Sequence, residues 1–100
     1  MGRGPEPLLD AELQHGQLLH RALHEAARTR LQDASRPLAI VDLSLVFNGP
    51  AEGPLLARGL VTGGGRSVCF CEAELFDGAQ RLVARAMGTF RYQPSGAAPA

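Results

Sequence analysis

Several side chains in this 100-residue sequence carry chemistry at informative spacings. His20 and His24 stand four apart, with Glu25 beside the second. On a helix the two imidazoles are one turn apart, which suits a pair of metal ligands, and His24 also suits a general base near neutral pH. No third ligand follows at a usable spacing, so no metal site is expected. Glu25 is either a carboxylate that activates water or the ion-pair partner of Arg21 and Arg28 at helical spacing. Arg66 follows Gly63-Gly64-Gly65, where an exposed guanidinium meets a phosphate or serves only solubility. The run is not a P-loop, because no Gly-Lys-Ser/Thr follows it. Asn48 closes an apolar run and is set to hydrogen-bond a substrate or its own turn. Ser44 and Asp42 share a strand face but belong to no triad order. Cys69 and Cys71, two apart in a strand, share a face with poor disulfide geometry and read as buried structural thiols.

The elements that must position these groups follow from periodicity. Leu18, Leu19, Ala22, Leu23, Ala26, Ala27 and Leu31 recur at steps of three and four, one wide stripe of a helix with Arg21 and Arg28 opposite. The helical region spans 8–33, and with Gly16 in it the helix either begins near His15-Gly16 or runs through. Pro37 ends it. Four strands are expected within 37–92. The first is Leu38 to Phe47, with Val41, Leu43, Leu45 and Phe47 on one face. Leu55 to Thr62 comes next, then Arg66 to Phe76, then Arg81 to Tyr92 after the hairpin signal Asp77-Gly78. Residues 1–7 read as a loose N-terminus and 93–100 as a disordered tail. One helix before four strands buries its stripe only against the sheet, which makes a single α+β domain over 1–100.

Composition narrows the function classes. Ten basic residues, all Arg, balance ten acidic ones, which argues against nucleic acid or an anionic membrane as the main partner. No apolar run approaches the roughly 20 residues of a membrane span, and no signal-peptide core opens the chain, so a cytoplasmic location is expected. No cofactor is called for.

His15-Gly16 at the helix, the strand ending Phe47-Asn48-Gly49-Pro50, the Gly65-Arg66 turn and the closing run from Gly78 through Arg81-Leu82-Val83-Ala84 to Phe90-Arg91 combine into a familiar pattern. From His15 to Tyr92 the chain resembles the hot-dog-fold acyl-CoA thioesterases, most closely the phenylacetyl-CoA (PaaI-like) branch. The resemblance implies a helix wrapped by an antiparallel sheet and a homodimer or homotetramer with its site between subunits. It also implies hydrolysis of an acyl-CoA thioester. The Gly16 and Gln17 amides would form an oxyanion hole at a helix N-terminus. Glu25 or His24 would activate water, and His15, Asn48 and Arg66 would contact the substrate.

Counted from His15-Gly16, the acidic position of that family falls on His24, and Glu25 comes one residue later, about 100° round a helix. The second Gly of the motif is Gln17, and the Arg of the strand-end corner is Gly49. The first strand of the family is expected to be missing. A rival expectation follows: a degenerate hot-dog module that binds an acyl or CoA ligand, or only itself, without turnover.

Overall fold

A computed structural model describes residues 7–31 and 36–93. The expectations for residues 1–6, 32–35 and 94–100 fall outside the described residues. Helix α1 runs Pro7–Arg30, followed by strands β1 (Leu38–Phe47), β2 (Leu56–Gly64), β3 (Val68–Phe76) and β4 (Leu82–Tyr92). The strands form one antiparallel sheet in the order β1-β4-β3-β2. The helix covers one face of it. No helix among the described residues is long and apolar enough to cross a membrane.

The expected stripe is the one that is buried. Leu19, Leu23 and Ala27 are fully enclosed against Cys69, Cys71, Leu75 and Phe90. His15 continues the same i, i+4 line and is also buried. Tyr92 closes the far end by donating its hydroxyl to Ala27 O at 3.3 Å. The two cysteines lie Sγ to Sγ at 3.5 Å inside this core. Burial, with the neighbouring thiol, pushes Cys71 up to about 12, so it stays a protonated packing group.

Three local expectations meet the structure differently. First, of the two alternatives at His15-Gly16 the helix runs through, and its start lies before the expected Leu8. The helix starts at Pro7, where a proline's missing N–H costs nothing, and Gly16 sits inside it, facing Leu45. Second, β1 carries a bulge between Ile40 and Asp42. The bulge takes Val41 off the expected face and puts Ile40 there with Leu43, Leu45 and Phe47, opposite the buried residues Phe90, Gly88, Ala86 and Ala84. Third, the hairpin expected at Asp77-Gly78 is present between β3 and β4. The turn extends to Arg81, with Gln80 taking the positive φ (64°).

Asp77 organises that turn. Its buried carboxylate accepts from the N–H groups of Ala79, Arg81 and Glu52, each at 3.0 Å, and from the Arg81 guanidinium at 3.0 Å. The Gly78 N–H in turn donates to Glu52 O at 2.8 Å, fastening the β1–β2 loop to the β3–β4 turn. The backbone donors of Arg81 and Glu52, with the Arg81 side chain, hold the Asp77 carboxyl at about 2, below its ordinary 3.8.

The helix lies off-centre. It packs on β2, β3 and β4 and barely reaches β1. Its closest approach is at Gly59, where a Cβ would stand 2.4 Å from Ala22 O. Gly59→Ala therefore pushes the helix backbone off the sheet. We expect a lowered urea midpoint, while Gly65→Ala, which would project into open space, leaves it unchanged. A second expectation concerns acid. The Asp77 carboxyl is lower in the folded chain than unfolded, so its stabilisation is complete above about pH 4 and lost as the pH falls toward 2. Asp77→Asn should lower stability at pH 7 and flatten that part of the stability–pH curve in urea titrations.

Candidate functional site

Because α1 leans toward β2, the inner face of β1 is left bare. Ile40 is 44% exposed, Leu43 41% and Phe47 38%, although all three point to the helix side of the sheet. The gap between them and the helix is a groove of about 660 Å³. Its β1 wall is Ile40, Leu43, Leu45 and Phe47, with Asp42, and its helix wall is Glu12, Leu13, Gly16, Gln17 and His20. A second cavity of about 570 Å³ adjoins it, sharing Glu12 and Phe47, and contains His15, Gln14, Asn48 and the loop from Gly49 to Leu55.

The helix wall follows from spacing. Leu13, Gln17, His20 and His24 recur at steps of four, three and four, a flank parallel to the buried stripe and turned toward β1. His20 stacks on Phe90 with ring centroids 6.5 Å apart, and His24 meets the same ring edge-on at 5.8 Å. Phe90 is itself buried. One core aromatic therefore orients both imidazoles, and His20 is the one that lines the groove.

The expected site residues divide. Gly16 and Gln17 meet in the groove, beside His20, which is not one of them, and His24 stands one turn beyond. His15 and Asn48 meet in the adjoining cavity. Asn48 donates Nδ2 to Leu82 O at 3.4 Å, so at least half of its amide serves to tie β1 to β4. Glu25 is on the wrong flank: with Ala22, Ala26 and Thr29 it faces β2 across a separate hollow. Nine residues from Gly16 place it about 180° round the helix. Gly16 and Gln17 lie in the third turn, where backbone N–H groups are directed at carbonyls four residues earlier. An oxyanion hole built from those two amides is not available in this helix. Arg66 is exposed on the β2–β3 hairpin, whose Gly65 and Val68 carbonyls accept from Arg30 near the helix C-terminus. That is the opposite end of α1 from His15 and Asn48.

His20 gained its importance only in three dimensions. In sequence its one feature is the one-turn spacing to His24. Its groove position depends on which flank of the stripe the sheet leaves open.

No family model and no curated protein matches the sequence. Solved structures do. A Bacillus halodurans protein crystallised with CoA superposes with a TM-score of 0.70 at 21% identity, over 76% of this chain and 54% of that one. The TesB protein of Mycobacterium avium subsp. paratuberculosis gives 0.76 at 23% identity, over 93% of this chain and 38% of its own. A thioesterase family protein from Silicibacter pomeroyi gives 0.63 at 24% identity, over 80% and 67%. The chain has the hot-dog fold. This hot-dog chain spans about half the length of the Bacillus halodurans structure and about two fifths of the TesB protein. In hot-dog terms α1 is the enclosed helix, here wrapped on the β2 side and open on the β1 side.

Proposed function

We propose that this chain hydrolyses acyl-CoA thioesters in the groove between α1 and β1. The observation that carries the reading is an apolar groove ending at an oriented imidazole. It sits on a fold whose solved examples include a protein crystallised with CoA and a thioesterase family protein. The acyl group would lie against Leu43, Leu45 and Phe47, where burial of each methylene is worth about 0.8 kcal/mol. The thioester carbonyl would then stand beside His20. Neutral His20 takes a proton from water as the water oxygen attacks the carbonyl carbon. The tetrahedral oxyanion accepts from a donor aimed at it, and in this groove the side-chain amide of Gln17 is the group placed to donate. Collapse breaks the C–S bond, expels the CoA thiolate and leaves the carboxylic acid, and the His20 proton returns to the thiolate.

Removing a general base costs about 10²–10⁴ in rate. We therefore expect His20→Ala to lower kcat/KM for acyl-CoA by that order, read by thiol release. Glu25→Ala, on the far flank, should stay within about twofold of wild type. A loss in Glu25→Ala without one in His20→Ala would overturn the assignment.

A second reading has its own support, in the interior position of the Gly16 and Gln17 amides and the displacement of Glu25. Under it the groove holds an acyl or CoA ligand without turnover. A CoA-dependent rise in melting temperature with no thiol release selects it.

Self-association belongs to the same proposal. Among the described residues β1 and β2 are both open edges, and an open ladder seeks partners. Both edges carry a bulge, β1 between Ile40 and Asp42 and β2 between Val61 and Gly63, and because the inner face of β1 is the groove wall β2 is the edge left for a partner. We infer a two-fold dimer through β2, in which antiparallel pairing sets the hairpin of one copy beside the β1–β2 loop of the other. Sedimentation velocity should return twice the chain mass; a single-chain mass at micromolar concentration would remove this part of the proposal.

A further inference from the structure

The groove between α1 and β1 and the cavity beside it form one channel, joined at Glu12 and Phe47. The two halves differ in chemistry. The groove is walled chiefly by the apolar side chains of β1, whereas the adjoining cavity brings together Glu12, Gln14, His15 and Asn48. An acyl group laid from His20 along Leu43, Leu45 and Phe47 therefore runs out of apolar wall and meets polar groups. His20 to Glu12 is about 12 Å of helix rise, a span that a medium-length chain covers.

Two of those polar groups lack partners among the described residues. His15 is only 7% exposed and makes no hydrogen bond within the protein, whereas buried polar side chains ordinarily find one. Among the described residues no side-chain nitrogen or oxygen is both sealed off and unpaired, so the open ring nitrogen of His15 faces the cavity that it lines. Glu12 is half-buried at the junction of the two halves and forms no ion pair. Asn48 commits its Nδ2 to Leu82 O, which leaves Oδ1 as an acceptor on the same cavity. Asp42 is the other carboxylate on the channel walls, and no Arg lines either half. The channel thus presents acceptors and negative charge without a guanidinium to neutralise them.

That set of groups selects a chain end. An ammonium has three donors and a positive charge, and the Glu12 carboxylate, the Asn48 oxygen and the His15 nitrogen offer one acceptor for each. A hydroxyl has a single donor, a methyl has none, and a carboxylate would be repelled by Glu12. We propose that the cavity at His15 binds the cationic end of an ω-aminoacyl group whose thioester lies at His20. This rests on the thioester reading above and adds the substrate class, with Glu12, His15 and Asn48 as the residues that select it.

The test uses three hydrolysis-resistant thioethers of CoA with tails of equal length: S-nonyl-CoA, S-(ω-aminooctyl)-CoA and S-(ω-hydroxyoctyl)-CoA. Calorimetry on the wild-type chain should show the amino probe binding about tenfold tighter than S-nonyl-CoA, with an advantage that shrinks as salt rises. The hydroxyl probe should fall between them. Glu12→Gln should erase the amino advantage while S-nonyl-CoA keeps its affinity, which also reports that the variant is folded. Glu25→Gln removes the same charge from the opposite flank of α1 and should leave all three affinities unchanged. A hydroxyl probe that matches the amino probe would overturn the choice of a cation. If S-nonyl-CoA binds as tightly as the other two, the polar site is wrong and the thioester reading stands. Failure of all three to bind removes both.

Discussion

The contact between Ala22 and Gly59 decides where the helix can lie on the sheet. A residue with a side chain at position 59 would hold the helix backbone away, because its Cβ would be 2.4 Å from a main-chain oxygen. With glycine there, α1 settles toward β2, and its buried line from His15 to Ala27 meets β3 and β4. The width of one helix does not cover four strands spaced about 4.8 Å apart. Displacement toward one edge therefore exposes the other. The bare inner face of β1, and with it the groove, follows from that lateral shift rather than from any feature of β1 itself.

The ends of the assembly are held by polar chemistry that the core does not supply. At one end Asp77 collects three backbone donors and a guanidinium, and so locks the loop after β1 against the turn before β4. At the other, Arg30 donates to the carbonyls of Gly65 and Val68, and Tyr92 to that of Ala27. These fastenings lie beyond the sheet's own ladder, in places where helix, loop and strand ends would otherwise leave unpaired groups. Between them the channel walls are kept in fixed register, which is what a site assembled from a helix flank and an edge strand requires.

What could be read from the residues alone depended on how local the cause was. The buried stripe and the four strands were legible, because periods of 3.6 and 2 are set by backbone geometry. The run of the helix through Gly16 was not. A glycine's cost of about 1 kcal/mol is outweighed once Leu45 packs against the site, and that neighbour is distant in sequence. The bulge was hidden because Ile40 and Val41 are both apolar, so alternation alone could not choose between them. Asp77 was legible as a turn residue but not as a four-donor acceptor, since its partner Glu52 comes from another loop. The groove was least legible. Helical period names the buried face, but not which flank of it the sheet will leave open.

That open flank has a thermodynamic meaning. Apolar area left facing water forgoes about 25 cal/mol for each Å² that could have been buried, and a sheet edge without a neighbour adds unpaired backbone groups. Filling the groove with protein would recover that energy and remove the site. A ligand that binds there recovers it reversibly, and only in the folded chain, so occupancy and stability are linked by mass action. The same reasoning explains the placement of the imidazoles. His20 and His24 rest on Phe90, a core ring that cannot move without opening the hydrophobic cluster. Their orientation is therefore fixed before any ligand arrives, and the flexible part of the site is confined to what fills it.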